Sequence, residues 1–273
     1  MASHPEYQYL QLMAEILKNG KSKPTRGVHG IKSIFGYQMS FDMRHGFPLL
    51  TTKKMPFNLL MHEMLWFVSG DSNIKYLQDH NIHYWDDFAD KDLNLGPVYG
   101  VQWRRWQDPH SKTGETIDQL QWAIDQIRNN PNSKAIIVSA WNPADLEEMR
   151  LPPCHTMFQF DVTKGKLSMQ LYQRSSDVFL GLPFNIAQYS LLLHMVAKIT
   201  GLEPRKLVVS IGNAHLYNNH LEQAKEQIQR KPLPLPKLVI SGDAKEIDDF
   251  KAEDFALENY EFLPHIKAPL VIL

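Results

Sequence analysis

The sequence is poor in features that mark several large classes of protein. Cysteine occurs once in 273 residues, so no disulfide can form within the chain, and we expect an intracellular, cytoplasmic location. Lys and Arg number 29 against 30 Asp and Glu, so no positive excess favours a nucleic acid as the main partner. We also expect no membrane span, because no apolar run is long enough, and MASHPEYQYL carries no secretory signal.

What is present indicates a globular domain with a sizeable core. Hydrophobic residues make up 43% of the chain and charged residues 22%. We see no internal repeat and no Gly/Ser linker, so we predict a single domain over residues 1–273. Helical and strand patterns are interleaved along the chain, which is typical of the α+β and α/β classes.

The periodicity of apolar residues predicts the main elements. Helices are expected at 4–18, 57–70, 185–200 and 217–232. Strands are expected at 134–141, 157–162, 167–175, 206–212 and 237–241. Residues 163–166, with the sequence TKGK, look like a hairpin turn.

Cys154 lies in the stretch LPPCHTMFQF, between two prolines and a histidine. A free cysteine is often a small buried hydrophobe, although such a cysteine more often sits inside an apolar run. If Cys154 is instead a nucleophile, a group other than His155 must lower its pKa, because adjacent extended residues point to opposite faces. A guanidinium is the obvious group. A zinc site would need several regularly spaced Cys or His residues, so no metal is expected.

Glu63 interrupts an apolar helical segment, FNLLMHEMLWFVSG, that has no clear polar face. One interpretation is a carboxylate at the helix surface or in a buried salt bridge. The other is a desolvated carboxylic acid with a raised pKa, suited to proton transfer near neutral pH. The sequence leaves both open.

The stretch QRSSDVFLGLPFN, residues 173–185, places polar groups at a strand end before a Gly-Leu-Pro turn. Such a position often holds ligand-binding groups. Arg174 could clamp a phosphate or carboxylate, or form a surface ion pair. Asn185 could be the N-cap of the following helix.

Taken together, these segments resemble the thymidylate synthase family. The similarity runs almost end to end, and its blocks are SIFGYQMSF, GFPLLTTKK, HEMLWFVSGDSNI, LGPVYGVQWR, IIVSAWNP, PPCH, LYQRSSDVFLGLPFNIAQY, HLYNNH and KAPLVIL. The block at 170–189 is highly specific. The resemblance implies an α+β fold, in which a large mixed β-sheet packs with helices and forms the interface of a homodimer.

The resemblance also implies a reaction, the reductive methylation of dUMP to dTMP with 5,10-methylenetetrahydrofolate. Cys154 would add to C6 of uracil, which makes C5 nucleophilic enough to attack the methylene carbon of the folate. Loss of the C5 proton, elimination of the folate and hydride transfer from it would complete the methyl group. Arg174 would help to keep Cys154 as a thiolate.

Roles for individual residues follow from the same resemblance. On the base, Asn185 would read N3–H and O4, Glu63 would organise proton transfer around O4, and Tyr99 would assist removal of the C5 proton. The phosphate would be held by Arg26, Arg174, Ser175 and, across the dimer, Lys134; the ribose 3′-hydroxyl by His215 and Tyr217. The folate pocket would be lined by Trp85, Asp177 and the closing C-terminal residues, down to Leu273.

Several positions depart from the family pattern, mainly in phosphate and folate recognition. Two adjacent arginines are usual where Lys134 and Ala135 stand. Losing one charged hydrogen bond would weaken phosphate binding by about 10- to 100-fold. The loop after Arg26 reads Gly-Val-His-Gly-Ile, and Phe88 stands where a second tryptophan is common.

Three other functions remain open. A pyrimidine 5-hydroxymethylase would use the same addition but finish with water; Asn185 favours uracil over cytosine, and Trp85 favours the methyl-forming path. The altered phosphate site allows a uracil nucleotide with a different 5′ group. A catalytically inactive relative that only binds ligands would not be expected to keep Cys154, Glu63 and Tyr99 together.

Overall fold

The computed structural model describes residues 4–25 and 27–271, so the predicted contacts Arg26 and Leu273 lie outside the described residues. The helices are α1 (Tyr7–Asn19), α2 (Phe57–Ser69), α3 (Lys75–Asp79), α4 (Gly100–Arg104), α5 (Gln119–Asn129), α6 (Gly181–Thr200) and α7 (Leu221–Gln227). The strands are β1 (Lys21–Lys23), β2 (Ile31–Asp42), β3 (Trp106–Gln107), β4 (Thr116–Ile117), β5 (Ile137–Ser139), β6 (His155–Thr163), β7 (Lys166–Asp177), β8 (Glu203–Tyr217), β9 (Lys237–Ile240) and β10 (Phe255–Glu258).

A six-stranded sheet in the order β1-β2-β8-β7-β6-β5 forms the centre of the fold. Strands β7 and β8 are parallel, and the other neighbouring pairs are antiparallel. A parallel pair needs a crossover connection, which here is the long helix α6. The expected α+β class with a large mixed sheet is therefore confirmed.

The two faces of the sheet differ in what covers them. Phe158, Leu171 and Val209 point to a face where they are fully buried, and α6 packs against β7 and β8 there. Met157 and Tyr172, which pair across β6 and β7, point to the opposite face and stay exposed. This alternation is that of strands with one buried face.

Several predicted elements are confirmed, with shifted ends. The hairpin at 163–166 is present, and Lys164 and Gly165 have φ of 51° and 72°, as a two-residue turn of this kind requires. Helix α6 begins at Gly181, four residues before the predicted start at 185. The strand predicted at 206–212 extends to Tyr217, so the helix predicted at 217–232 shrinks to Leu221–Gln227.

Candidate active site

A cavity of about 360 Å³ opens between α2, the end of β7 and the first turns of α6. We call it the active-site cavity. It collects most of the residues singled out from the sequence: Cys154, Glu63, Tyr99, Trp85, Ser175, Asp177 and Asn185. These residues are far apart in sequence, and the sheet and α2 bring them to one place.

Cys154 lies just before β6, is partly buried as a residue, and lines the active-site cavity. Arg174 holds the segment in front of it by donating Nε–H to Pro153 O at 2.9 Å and Nη2–H to Pro152 O at 2.7 Å. The backbone N–H of Arg174 donates to Cys154 O at 2.9 Å. Arg174 therefore shapes the turn that presents the thiol.

Burial raises the pKa of the Cys154 thiol, and the positive charge of Arg174 opposes this effect without cancelling it. The charge of Arg174 therefore acts in the direction expected from the sequence, and the role of Arg174 in forming the thiolate stays a prediction. The guanidinium contacts carbonyls, and among the described residues it has no ion pair. Burial disfavours the thiolate more than the charge of one neighbouring cation favours it.

The described residues show no hydrogen bond between the ring of His155 and Cys154, which agrees with the expectation that adjacent extended residues point to opposite faces. Nδ1 of His155 shares a hydrogen bond of 2.6 Å with Tyr189 Oη, and its ring stacks on Tyr99 at 4.0 Å. Burial lowers its pKa to about 3, so the imidazole is neutral. It supports the wall of the cavity.

Tyr99 combines full burial with a strained backbone. Its φ of 38° is rare for a bulky residue, and such strain persists only where the surroundings impose it. The next residue must be glycine, because a Cβ on Gly100 would lie 2.2 Å from the carbonyl oxygen of Phe67 in α2. This close approach places Tyr99 Oη, which accepts the backbone N–H of Cys154 at 3.0 Å.

Glu63 is a buried carboxyl without a salt bridge among the described residues. Oε1 accepts Trp85 Nε1–H at 2.6 Å, and Oε2 accepts Gln188 Nε2–H at 2.5 Å. Burial raises the pKa of Glu63 more than these hydrogen bonds lower it. The structure places Glu63 neither at the helix surface nor in a salt bridge among the described residues, so it favours the interpretation as a desolvated acid.

Asn185 is not an N-cap, because α6 already begins four residues earlier and Asn185 lies in its second turn. Its Oδ1 accepts Gln173 Nε2–H at 2.6 Å, and its Nδ2 donates to Gln188 Oε1 at 3.4 Å. Gln173 and Gln188 are fully buried. The amide is thus oriented by two glutamines, and each of its polar atoms keeps one further hydrogen-bond position.

Asp177 ends β7 and lines the cavity beside Ser175. Its Oδ1 accepts the backbone N–H groups of Phe179 at 3.0 Å and Leu180 at 3.3 Å. These bonds fix the carboxylate at the turn into α6. The described residues give Oδ2 no partner.

Four predicted contacts lie outside the cavity lining. Arg174 lines a separate surface cavity with Trp141 and Tyr172. His215 and Tyr217 are buried in β8, where burial raises the pKa of Tyr217 to about 12. Lys134 is exposed just before β5.

Three groups that complete the cavity were not predicted from the sequence. Gln188 links Glu63 to Asn185, and Tyr84 and Phe184 add to the walls. The signal for Gln188 was available, since it is a polar residue in an apolar helix, three positions after Asn185 on the same face. Leu270, which also lines the cavity, belongs to the C-terminal segment that was expected there.

Among the described residues, no group of three or more His, Cys, Asp or Glu side chains is arranged to hold a metal ion. None of the described helices has the length and apolar character to span a bilayer.

Comparison with known families agrees with this geometry. The family model described as "Thymidylate synthase" matches residues 7–272, almost the whole chain. The match covers α2, the turn before Cys154, β7 and α6, which together build the cavity. The chain therefore belongs to the thymidylate synthase family.

Proposed function

We propose that this protein is an enzyme that methylates dUMP reductively to dTMP with 5,10-methylenetetrahydrofolate. The observation that carries the proposal is the active-site cavity itself. A partly buried thiol, a buried acid and an oriented amide, supplied by Cys154, Glu63 and Asn185, line it from three separate elements. Addition to a pyrimidine needs this combination.

Cys154 supplies the sulfur that forms the bond to C6 of the base. Burial raises its pKa in the protein alone, and we propose that the thiol loses its proton as the substrate binds. Arg174 favours that loss by its charge and holds the turn in place. We assign the removal of the C5 proton to Tyr99, whose oxygen accepts the backbone N–H of Cys154 at 3.0 Å.

Glu63 supplies a protonated carboxyl beside the base. Negative charge that develops on O4 during sulfur addition requires a donor in a dry environment, where such a contact is strongest. The raised pKa keeps the carboxyl protonated at higher pH than an exposed glutamate. Trp85 and Gln188 hold both of its oxygens.

Asn185 favours a uracil ring. With Gln173 and Gln188 each using one hydrogen-bond position, Oδ1 can still accept from N3–H and Nδ2 can still donate to O4. Cytosine presents the opposite polarity at both atoms. The two glutamines prevent the amide from turning over to suit it.

The remaining cavity walls fit a folate. Trp85 offers an indole surface, and Asp177 keeps Oδ2 free for a ring donor. When bound, the folate supplies the carbon and the hydride. Leu270 lies at the cavity wall, in the segment that we propose closes over the ligands.

We also propose a cytoplasmic homodimer of one catalytic domain. Ile137, Met157 and Tyr172 point from the outer sheet face and are 36–40% exposed, an apolar surface that a second copy would cover. Lys134 lies at the same edge of the sheet and would reach the partner's phosphate site. Light scattering should give twice the mass of one chain, whereas a monomer would contradict the dimer.

Two alternatives are a pyrimidine 5-hydroxymethylase and an enzyme for a nucleotide with another 5′ group. To separate them from the proposed function, purified protein is incubated with dUMP and 5,10-methylenetetrahydrofolate, and the pyrimidine product is identified by mass. We expect a methyl group and dihydrofolate. A hydroxymethyl product would support the first alternative, and no product with dUMP would contradict the proposed substrate.

A further inference from the structure

The C-terminal segment, residues 259–271, returns to the active-site cavity. Leu263 N–H donates to Thr51 O at 2.8 Å, which fixes the start of this return. Further along, the ring of His220 hydrogen-bonds to Pro269 O at 2.8 Å. Leu270, the next residue, lines the cavity. The contact with His220 thus lies one residue away from the cavity wall.

His220 ends the 3-10 turn that follows β8 and is fully buried. A carbonyl oxygen only accepts hydrogen bonds, so Nε2 of His220 carries the hydrogen in the contact with Pro269. Nδ1 is then a second polar atom, buried and without a hydrogen-bond partner among the described residues. It lies 3.9 Å from Asp177 Oδ1.

Packing alone gives no reason for a histidine here. The ring lies between Phe179 and Tyr217, at 5.6 and 5.7 Å between centroids, where a phenylalanine would fit without an unpaired nitrogen. A buried polar atom without a partner costs free energy. The ring contacts the C-terminal segment on one side and faces Asp177 on the other.

Building on the proposed function, we propose that His220 is a positioning residue that holds the C-terminal segment at the active-site cavity, beside Asp177. The Nε2–H bond holds Pro269, and with it Leu270, against the cavity. The same ring backs the Asp177 carboxylate, whose Oδ1 is already held by Phe179 and Leu180.

Three substitutions separate the two nitrogens. His220→Gln keeps a donor at the reach of Nε2, His220→Asn keeps only a group at the level of Nδ1, and His220→Phe keeps the ring shape alone. His194→Phe is the control for loss of a buried histidine, since His194 bonds its own helix at Ser190 O and lies outside the cavity lining.

The full-length variants are compared by hydrogen–deuterium exchange over residues 265–271 and by steady-state kinetics. We expect His220→Phe and His220→Asn to exchange faster there and to raise KM for the folate about tenfold, with dUMP affinity within about threefold of wild type. His220→Gln and His194→Phe should resemble wild type in both measurements.

Wild-type exchange and folate KM in the Phe and Asn variants would overturn the proposal. So would equal impairment in the Gln variant, or a loss that falls equally on dUMP and folate. If His220→Phe does not fold, the Gln and Asn pair decides the question. Exchange needs no turnover, so it tests the role of His220 even if the proposed reaction fails.

Discussion

Glu6 and Glu63 are two buried glutamates in one chain, with exposed fractions of 2% and 5%, and their surroundings differ sharply. Glu6 accepts four hydrogen bonds, from the backbone N–H and the hydroxyl of both Thr51 and Thr52. Glu63 accepts two, from Trp85 and Gln188, and faces the active-site cavity.

The difference shows that the surroundings of a buried glutamate decide what it does in the fold. Four donors compensate the Glu6 carboxylate for burial, and it joins the start of α1 to the loop before α2. The Glu63 carboxyl is left with fewer donors, so burial dominates and raises its pKa. We infer that Glu6 stabilises the fold and that Glu63 takes part in the proposed reaction.

Glu63→Gln should have the largest effect of the substitutions that follow from this comparison. We expect kcat to fall by about 10²- to 10⁴-fold, because the amide cannot move a proton at O4. The free energy of unfolding, measured in urea, should change by no more than about 1 kcal/mol. Near-normal turnover in the Gln variant would remove Glu63 from the chemistry.

Glu6→Gln should do the reverse. An amide has one acceptor oxygen where the carboxylate has two, so a buried backbone N–H of Thr51 or Thr52 loses its partner. We expect a loss of about 3 kcal/mol in the free energy of unfolding and a kcat within about threefold of wild type. A stable variant with lost activity would invert the assignment of the two residues.

Removing single donors sharpens the comparison at both sites. Gln188→Met leaves Glu63 Oε2 without its donor. It should lower kcat about tenfold, because the transition state loses the stabilisation that one to two hydrogen bonds provide. Thr52→Val takes one of the four donors of Glu6 and should cost about 1 kcal/mol of stability with kcat preserved. Kinetics and urea unfolding on both variants give the answer. Equal losses of activity would mean that the sites are not distinct.

The smallest effect is a dependence of stability on pH. The folded-state pKa of Glu63 lies above its usual value of 4.5, so the native state binds more protons than the unfolded state between those two values. Stability from this residue is present below pH 4.5 and is lost as pH rises through the folded pKa. Urea titrations should show that the free energy of unfolding of the wild type falls relative to that of Glu63→Gln as pH increases. A constant difference between them would contradict the raised pKa.

Much of the fold follows from local patterns, and much of the site does not. The hairpin at 163–166 and helix α2 were predictable because turn residues and apolar periodicity act over a few positions. Strand β2 and helix α5 were not among the elements predicted from periodicity. Helix α6 begins at Gly181 although glycine has a poor helix propensity, because tertiary packing of the turn outweighs that propensity.

The candidate site residues could be singled out from the sequence and the family resemblance, while their electrostatics required the structure. Sequence suggested that Arg174 would activate Cys154, but the balance between its charge and burial depends on three-dimensional surroundings. Likewise, the glutamines that orient Asn185 come from β7 and α6. These effects depend on contacts between elements that are far apart in sequence, and a local sequence pattern does not predict them.

We propose above all that the sulfur of Cys154 bonds to C6 of a uracil nucleotide. The most direct test incubates the protein with 5-fluoro-dUMP and 5,10-methylenetetrahydrofolate, where fluorine at C5 blocks the later proton loss. Intact mass and peptide mapping should show a covalent complex at Cys154 that Cys154→Ser cannot form. Wild-type protein that binds both compounds yet gains no mass at Cys154 would contradict the account.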